Sequence, residues 1–235
     1  MRRRHREGAG AAAVGMLLLA LLAPPQDAQA APPVAIGVQA GSAGLGVDLA
    51  LRPHQSLQPR LAVRGWTLDD SFEETGITYD AELQLASALL LLDWYPTGAG
   101  FRISVGAGWN GTELELTAPL EQLLRREVPD LPPIDVDVGR AVGTAAGDDL
   151  VPALLLGWGS PFAGGRWGAS FEVGAVYHGR PEVELRAETP LPIGSIPGGA
   201  EALAALIADE RRALEAELED YRVLPVVSFG VWYRW

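Results

Sequence analysis

The chain closes on Tyr221-Arg222-Val223-Leu224-Pro225-Val226-Val227-Ser228-Phe229-Gly230-Val231-Trp232-Tyr233-Arg234-Trp235, and the odd positions of this stretch decide the fold. They read Tyr, Val, Pro, Val, Phe, Val, Tyr, Trp, while the even ones include Arg222, Ser228, Gly230 and Arg234. One face is wholly apolar and the other mixed. Alternation of period two over such a length predicts a long strand whose two faces meet two different surroundings.

The same pattern recurs upstream. Trp167, Ala169, Phe171, Val173, Ala175 and Tyr177 alternate with Gly168, Ser170, Glu172, Gly174 and His178; Phe101, Ile103, Val105, Ala107 and Trp109 alternate with Arg102, Ser104, Gly106, Gly108 and Asn110. Weaker alternation covers 34–40, 45–52, 60–68 and 78–92, and the least regular segment is 150–159, where Leu154-Leu155-Leu156 carries no period. A change of parity near Gly111 predicts a bulge or the upper end of the fifth strand. Eight strands in succession make an antiparallel meander.

The connections are unequal. Those at 52–60, 95–101 and 159–166 are short and rich in Pro and Gly; those at 69–78, 111–149 and 187–220 are longer, and the first hairpin, at Gly41-Ser42, is tight. Short turns at one end and long loops at the other predict an eight-stranded up-and-down barrel in an outer membrane. A soluble β-sandwich is the alternative, but strands this long with one continuous apolar face are unusual there.

The rest of the composition narrows the class. The 235 residues contain no cysteine, which removes disulfide frameworks, thiolate metal sites and thiol nucleophiles. A net charge of −12 argues against nucleic acid and for cationic partners. Arg2, Arg3, Arg4 and Arg6, the apolar run Ala11 to Leu22 and Ala28-Gln29-Ala30 read as a secretory signal cut after Ala30, the run being short for a spanning helix. Residues 31–235 then form one domain, with 14 basic and 28 acidic residues and a net charge of −14. No later apolar run approaches the length of a transmembrane helix, so a lipid-spanning form has to be a closed barrel.

Gly37, Gly46, Gly106, Gly108 and Gly174 fall on the polar face, where a narrow lumen leaves little room. Two girdles of aromatics are expected: Trp94, Tyr95, Phe101, Trp158, Trp167, Tyr233 and Trp235 near the turns, and Trp66, Trp109, Tyr177 and Tyr221 near the loops. Residues 199–220 predict an amphipathic helix and 119–127 a shorter one, both in acidic loops. The acids are either a solvated helix face or a negative vestibule that gathers cations.

Gly168 to Arg186, with Glu172-Val173-Gly174-Ala175, Tyr177, Gly179-x-Pro181 and Val183-Glu184-Leu185, resembles the penultimate strand of the CarO-like outer-membrane proteins, a family named for carbapenem susceptibility and ornithine uptake. Pro225-Val226, Gly230-Val231 and the terminal aromatic are similar too, and Asp93-Trp94-Tyr95-Pro96 with Phe101-Arg102 looks like the fourth-to-fifth strand turn of the wider group of eight-stranded barrels. About 40 residues carry the resemblance. It implies an eight-stranded barrel with passive uptake of basic amino acids.

Parity places Asp48, Glu82, Gln84, Glu172, Arg64, Arg102, His178 and Arg222 along the lumen. Two readings stand side by side: a satisfied salt-bridge network that fills the barrel, or a narrow wet path that binds both ends of a small cationic solute. Catalysis is not expected. Ser170 and His178 are about 26 Å apart along one strand at ~3.3 Å per residue, too far for a nucleophile and its base. Neither a cofactor nor a metal is expected. Val231, Tyr233 and Trp235 resemble the C-terminal signal read by the outer-membrane assembly machinery, which with membrane lipid is the expected partner.

Overall fold

The structure is a computed structural model that describes residues 33–74, 76–97, 100–122, 138–190, 199–218 and 220–235. The predicted signal at 1–30 lies outside them, as does most of the predicted helix at 119–127. The strands are β1 (Val34–Gly41), β2 (Gly44–Leu51), β3 (Leu57–Glu74), β4 (Ile77–Trp94), β5 (Phe101–Asn110), β6 (Glu113–Pro119), β7 (Arg140–Ala146), β8 (Leu150–Trp158), β9 (Trp167–Tyr177), β10 (Glu182–Glu188) and β11 (Val223–Arg234). A helix, α1 (Gly199–Leu218), follows β10 and matches the helix read at 199–220.

Eight of these strands close a ring in the order β1-β2-β3-β4-β5-β8-β9-β11, with β11 pairing back onto β1. Every neighbour is antiparallel. Closure leaves the ring itself without an edge. β5, β8, β9 and β11 run 10, 9, 11 and 12 residues, which matches the 9–11 or so that a strand tilted at about 45° needs to cross a bilayer.

The expectation of eight strands covers the ring but not the whole sheet. β6 and β7 lie where a long loop was expected, β10 follows β9 after a turn, and β3 and β4 run on into 69–78, pairing as far as Glu74 and Ile77. Together β3, β4, β6, β7 and β10 form a five-stranded extension standing on one side of the ring. The segments of β6 and β7 read as loop because their surroundings in the chain are acidic, yet alternating residues carry them as strands once their neighbours are in place.

Of the two alternatives near Gly111, the upper end of the fifth strand is the one found, since β5 stops at Asn110, and no bulge occurs there in the pairing with β4. Ser87 faces Asn110 and Gln84 faces Glu113, so the two strands advance together across the gap. What changes is the chemistry of each face. Below Gly111 the outward residues are Phe101, Ile103, Val105, Ala107 and Trp109; above it they are Glu113, Glu115 and Thr117, while Leu114 and Leu116 now point inward. The backbone keeps its parity and the apolar pattern inverts, the change expected of a strand whose outer face passes from an apolar to an aqueous surrounding. A one-residue bulge does occur elsewhere. From Ala146 to Ala153 is seven steps, but their partners Glu182 and Val176 are six apart. Gly179, at φ 74°, takes the turn at the end of β9 that this offset requires.

The outer surface of the ring is bare and apolar. Val38, Leu90, Val105, Leu154, Phe229 and Val231 are each at least half exposed, a continuous patch that a water-soluble protein does not leave open. At the turn end, rings meet in a chain across four strands: Phe101 with Trp158 at 5.4 Å, Trp158 with Phe171 at 6.1 Å, Phe171 with Phe229 at 4.9 Å, and Trp167 with Tyr233 at 5.0 Å. Tyr95 departs from the expected girdle, because it turns inward and is buried. No helix among the described residues is long and apolar enough to cross a membrane.

Candidate functional site

Large inward side chains are seated on glycines. Gly37 is cross-strand from Trp232, Gly230 from Gln39, Gly46 from Arg64 and Gly157 from Arg102. In each pair the long side chain lies over the place where a Cβ would stand; at Gly37 that atom would come within 2.7 Å of the Trp232 ring. The lumen of an eight-stranded barrel has room for one set of side chains. Here glycines on one strand make way for long groups on the next.

The filling is layered. At the turn end Ala35, Ala50, Phe162 and Trp232 form an apolar floor. The turn after β8 carries Phe162 up under the barrel, and Arg234 Nη1 donates to its carbonyl at 2.8 Å while the Arg52 guanidinium stands 5.1 Å from its ring centre. Trp232 Nε1 donates to Ser170 Oγ at 2.8 Å, which gives the buried indole the partner it needs. Toward the loop end Ala62, Leu89, Leu91, Val151, Ala153, Leu155, Val176 and Val226 form a second apolar layer. The cavity left beside it measures about 30 Å³, room for one or two water molecules.

Between these layers lies a sheet of charge. Arg60 of β3 is 1% exposed and donates to both carboxylate oxygens of Asp93, Nε at 2.9 Å and Nη2 at 3.1 Å. Its Nη1 reaches Asp48 at 2.8 Å and its Nη2 reaches Glu172 at 2.6 Å. β9 is four places from β3 around a ring of eight, so Arg60 crosses the whole lumen to meet Glu172. Arg102 donates to the same Glu172 oxygen at 2.8 Å and to the Gly159 carbonyl at 2.7 Å. Arg64 pairs with the other oxygen of Asp48. Three guanidinium groups therefore meet three carboxylates, and the layer is neutral as well as buried. Bidentate guanidinium–carboxylate geometry is what makes so many buried charges tolerable.

Of the eight residues placed in the lumen by parity, Asp48, Arg64, Arg102 and Glu172 lie in this layer. Glu82 and Gln84 do not: they are exposed on the outward face of the extension, with Glu82 between Asp69 and Glu115. The rule that polar residues point inward holds only where the outer surface is apolar, and β4 has left that zone by residue 84, where its outward neighbours are Thr67 and Glu113. His178 and Arg222 stand at the loop-end rim, where the His178 N–H donates to the Arg222 carbonyl at 3.0 Å. Val231 and Trp235 are outward and exposed, and Tyr233, half-buried, touches Trp167 and Trp235. Ser170 sits on the floor and His178 at the rim, so they belong to opposite ends of the barrel.

Two central residues escaped the sequence reading. Arg60 shares the parity of Arg64 and was within reach of it. Asp93 follows Leu89-Leu90-Leu91-Leu92, a run whose period is erased because an apolar lumen and an apolar exterior demand the same residue type on both faces.

No protein-family model matches the chain, and no curated protein matches it. Among solved structures, the chain is similar to Acinetobacter baumannii CarO2, with a TM-score of 0.57 at 23% identity over 88% of this chain and 100% of that one. It is similar to Acinetobacter baumannii CarO at 0.55 and 23%, over 86% and 98%. A major outer membrane protein from Thermus thermophilus is more distant, at 0.44 and 14% over 88% and 100%. The likeness to the two CarO structures is one of fold, and it extends over nearly the whole barrel.

Proposed function

We propose that this protein resides in a bacterial outer membrane and acts as a small-solute channel that rests closed, passing small cationic solutes such as basic amino acids when the Arg60 layer parts. The observation that carries the reading is the charged layer itself. A barrel that needed only to be stable could be filled with apolar groups throughout, as this one is above and below. Buried ion pairs are no more stabilising than a well-packed apolar replacement, and ionisable groups at membrane depth mark function by default. The acids on the extension, Asp69, Glu82, Glu113 and Glu115 among them, would gather cations near the mouth.

A second reading rests on the neutrality and burial of the network: a permanently sealed barrel whose extramembrane sheet does the work. Planar-bilayer recording of the refolded chain separates the two. The channel reading expects brief cation-selective openings in the native chain, dimmed by lysine or ornithine, and longer openings in Arg60→Ser. Silence from both folded proteins would sink it and leave the sealed barrel.

The assembly reading of Val231, Tyr233 and Trp235 also stands as a proposal, supported by their outward, turn-end position. Deleting Trp235 is expected to lower the amount of folded protein in the outer membrane several-fold while leaving in-vitro refolding intact. Equal surface levels, read by heat-dependent gel mobility of membrane fractions, would count against it.

A further inference from the structure

Above the ring, β3 is an edge. β2 leaves it at the pair Leu45–Gly65, and among the described residues no strand lies beside Trp66–Glu74 on that side, although β4 pairs with all of them on the other. Residues 65–73 are exposed without a break. The Ser71 N–H turns to this open side, where the Asp70 carboxylate accepts it at 2.9 Å. The Thr78 N–H, cross-strand from Glu73, turns the opposite way, to Gln122 at 2.8 Å. In an antiparallel pair these directions alternate, so Thr67, Asp69, Ser71 and Glu73 all turn their peptide groups to the open side, where among the described residues only the Ser71 N–H has a partner, in Asp70, that an added strand would displace.

The two faces beside that edge differ. Outward lie Asp69 and Glu73, with Asp80 and Glu82 of β4 behind them; inward lie Trp66, Leu68, Asp70 and Phe72, with Phe72 stacked on Tyr79 at 5.4 Å and Asp70 turned to the Ser71 N–H. Trp66, Leu68 and Phe72 are each 43–50% exposed. A strand laid along this edge would put alternate side chains over the acids of one face and over the mainly apolar other face, where Trp66, Leu68 and Phe72 flank Asp70. Lipid cannot take the place, because it offers nothing to peptide N–H and C=O groups. A second copy is disfavoured as well: edge-to-edge pairing of two β3 strands would set acids against acids. The acids guard the edge against its own kind and leave it open to the opposite charge.

We infer that the upper edge of β3 is a docking site for an extended peptide segment that alternates basic and apolar residues, held by strand addition. Neither its backbone donors nor its two-faced character depends on whether the barrel conducts.

The test uses a fluorescent nonapeptide of alternating lysine and valine, titrated against the refolded chain in detergent micelles by anisotropy. Binding that weakens with salt is expected. It should fall at least tenfold when alternate peptide nitrogens are methylated, and by a similar factor for a glutamate–valine peptide. Ser71→Pro, which removes a donor from the open side and none from the β4 ladder, should weaken binding similarly. Should that variant fail to fold, the double change Asp69→Lys with Glu73→Lys serves instead and is expected to shift preference to the glutamate–valine peptide. Three results overturn the inference: no binding by folded native chain, binding indifferent to both methylation and Ser71→Pro, or a native dimer that cross-links through Leu68→Cys.

Discussion

Replacing Arg60 by Met is expected to cost about 3–5 kcal/mol of folding stability, the range for breaking a buried ion pair from one side. Asp48, Asp93 and Glu172 would then face only Arg64 and Arg102, leaving one negative charge uncompensated in a buried layer. Urea unfolding in micelles, followed by tryptophan fluorescence, measures the loss directly. The informative companion is Arg60→Met with Asp93→Leu, which restores neutrality and is expected to recover much of the loss. A loss under about 1 kcal/mol for the single change would mean that water reaches the layer in solution and that the buried network is not the resting state.

The floor should respond as strongly. Trp232→Ala removes a fully buried indole and its hydrogen bond to Ser170, at an expected cost of about 3–5 kcal/mol. Gly37→Leu attacks the same contact from the other strand, forcing a side chain into the space of the ring, and should destabilise by about 1–3 kcal/mol or more. Because each change creates what the other needs, the double variant should be more stable than the sum predicts by more than about 0.5 kcal/mol. Strict additivity in the same urea titrations would show that the glycine is not there to seat the indole.

The barrel could be read from Tyr221–Trp235 because lipid and lumen demand opposite residue types, so alternation survives intact. The same logic failed wherever the two sides want the same thing or the outer solvent changes. Leu89–Leu92 faces an apolar lumen and an apolar exterior, and its period vanished, taking Asp93 with it. Trp232 stood on the face taken to be polar, and only the glycine across from it, near the other end of the chain, makes sense of its size. In β4 the alternation of Asp80, Glu82 and Gln84 was legible as a strand and illegible as a direction, since nothing local says where the membrane ends. The central role of Arg60 depends on the positions of the strands around it, which no single segment encodes.

The unbroken pairing of β4 with β5 and β6 ties the two halves of each strand into one rigid alternation. A single codon inserted low in β5 would therefore turn both halves inside out together, setting leucines toward water and glutamates toward the layer beneath. Two codons would leave every residue facing as before and lift the upper sheet by about 7 Å at ~3.3 Å per residue. Length variation among descendants of this gene should thus come in even steps along these strands, with odd steps confined to places such as 177–181, where the pairing of β9 and β10 with β8 and β7 has already absorbed one.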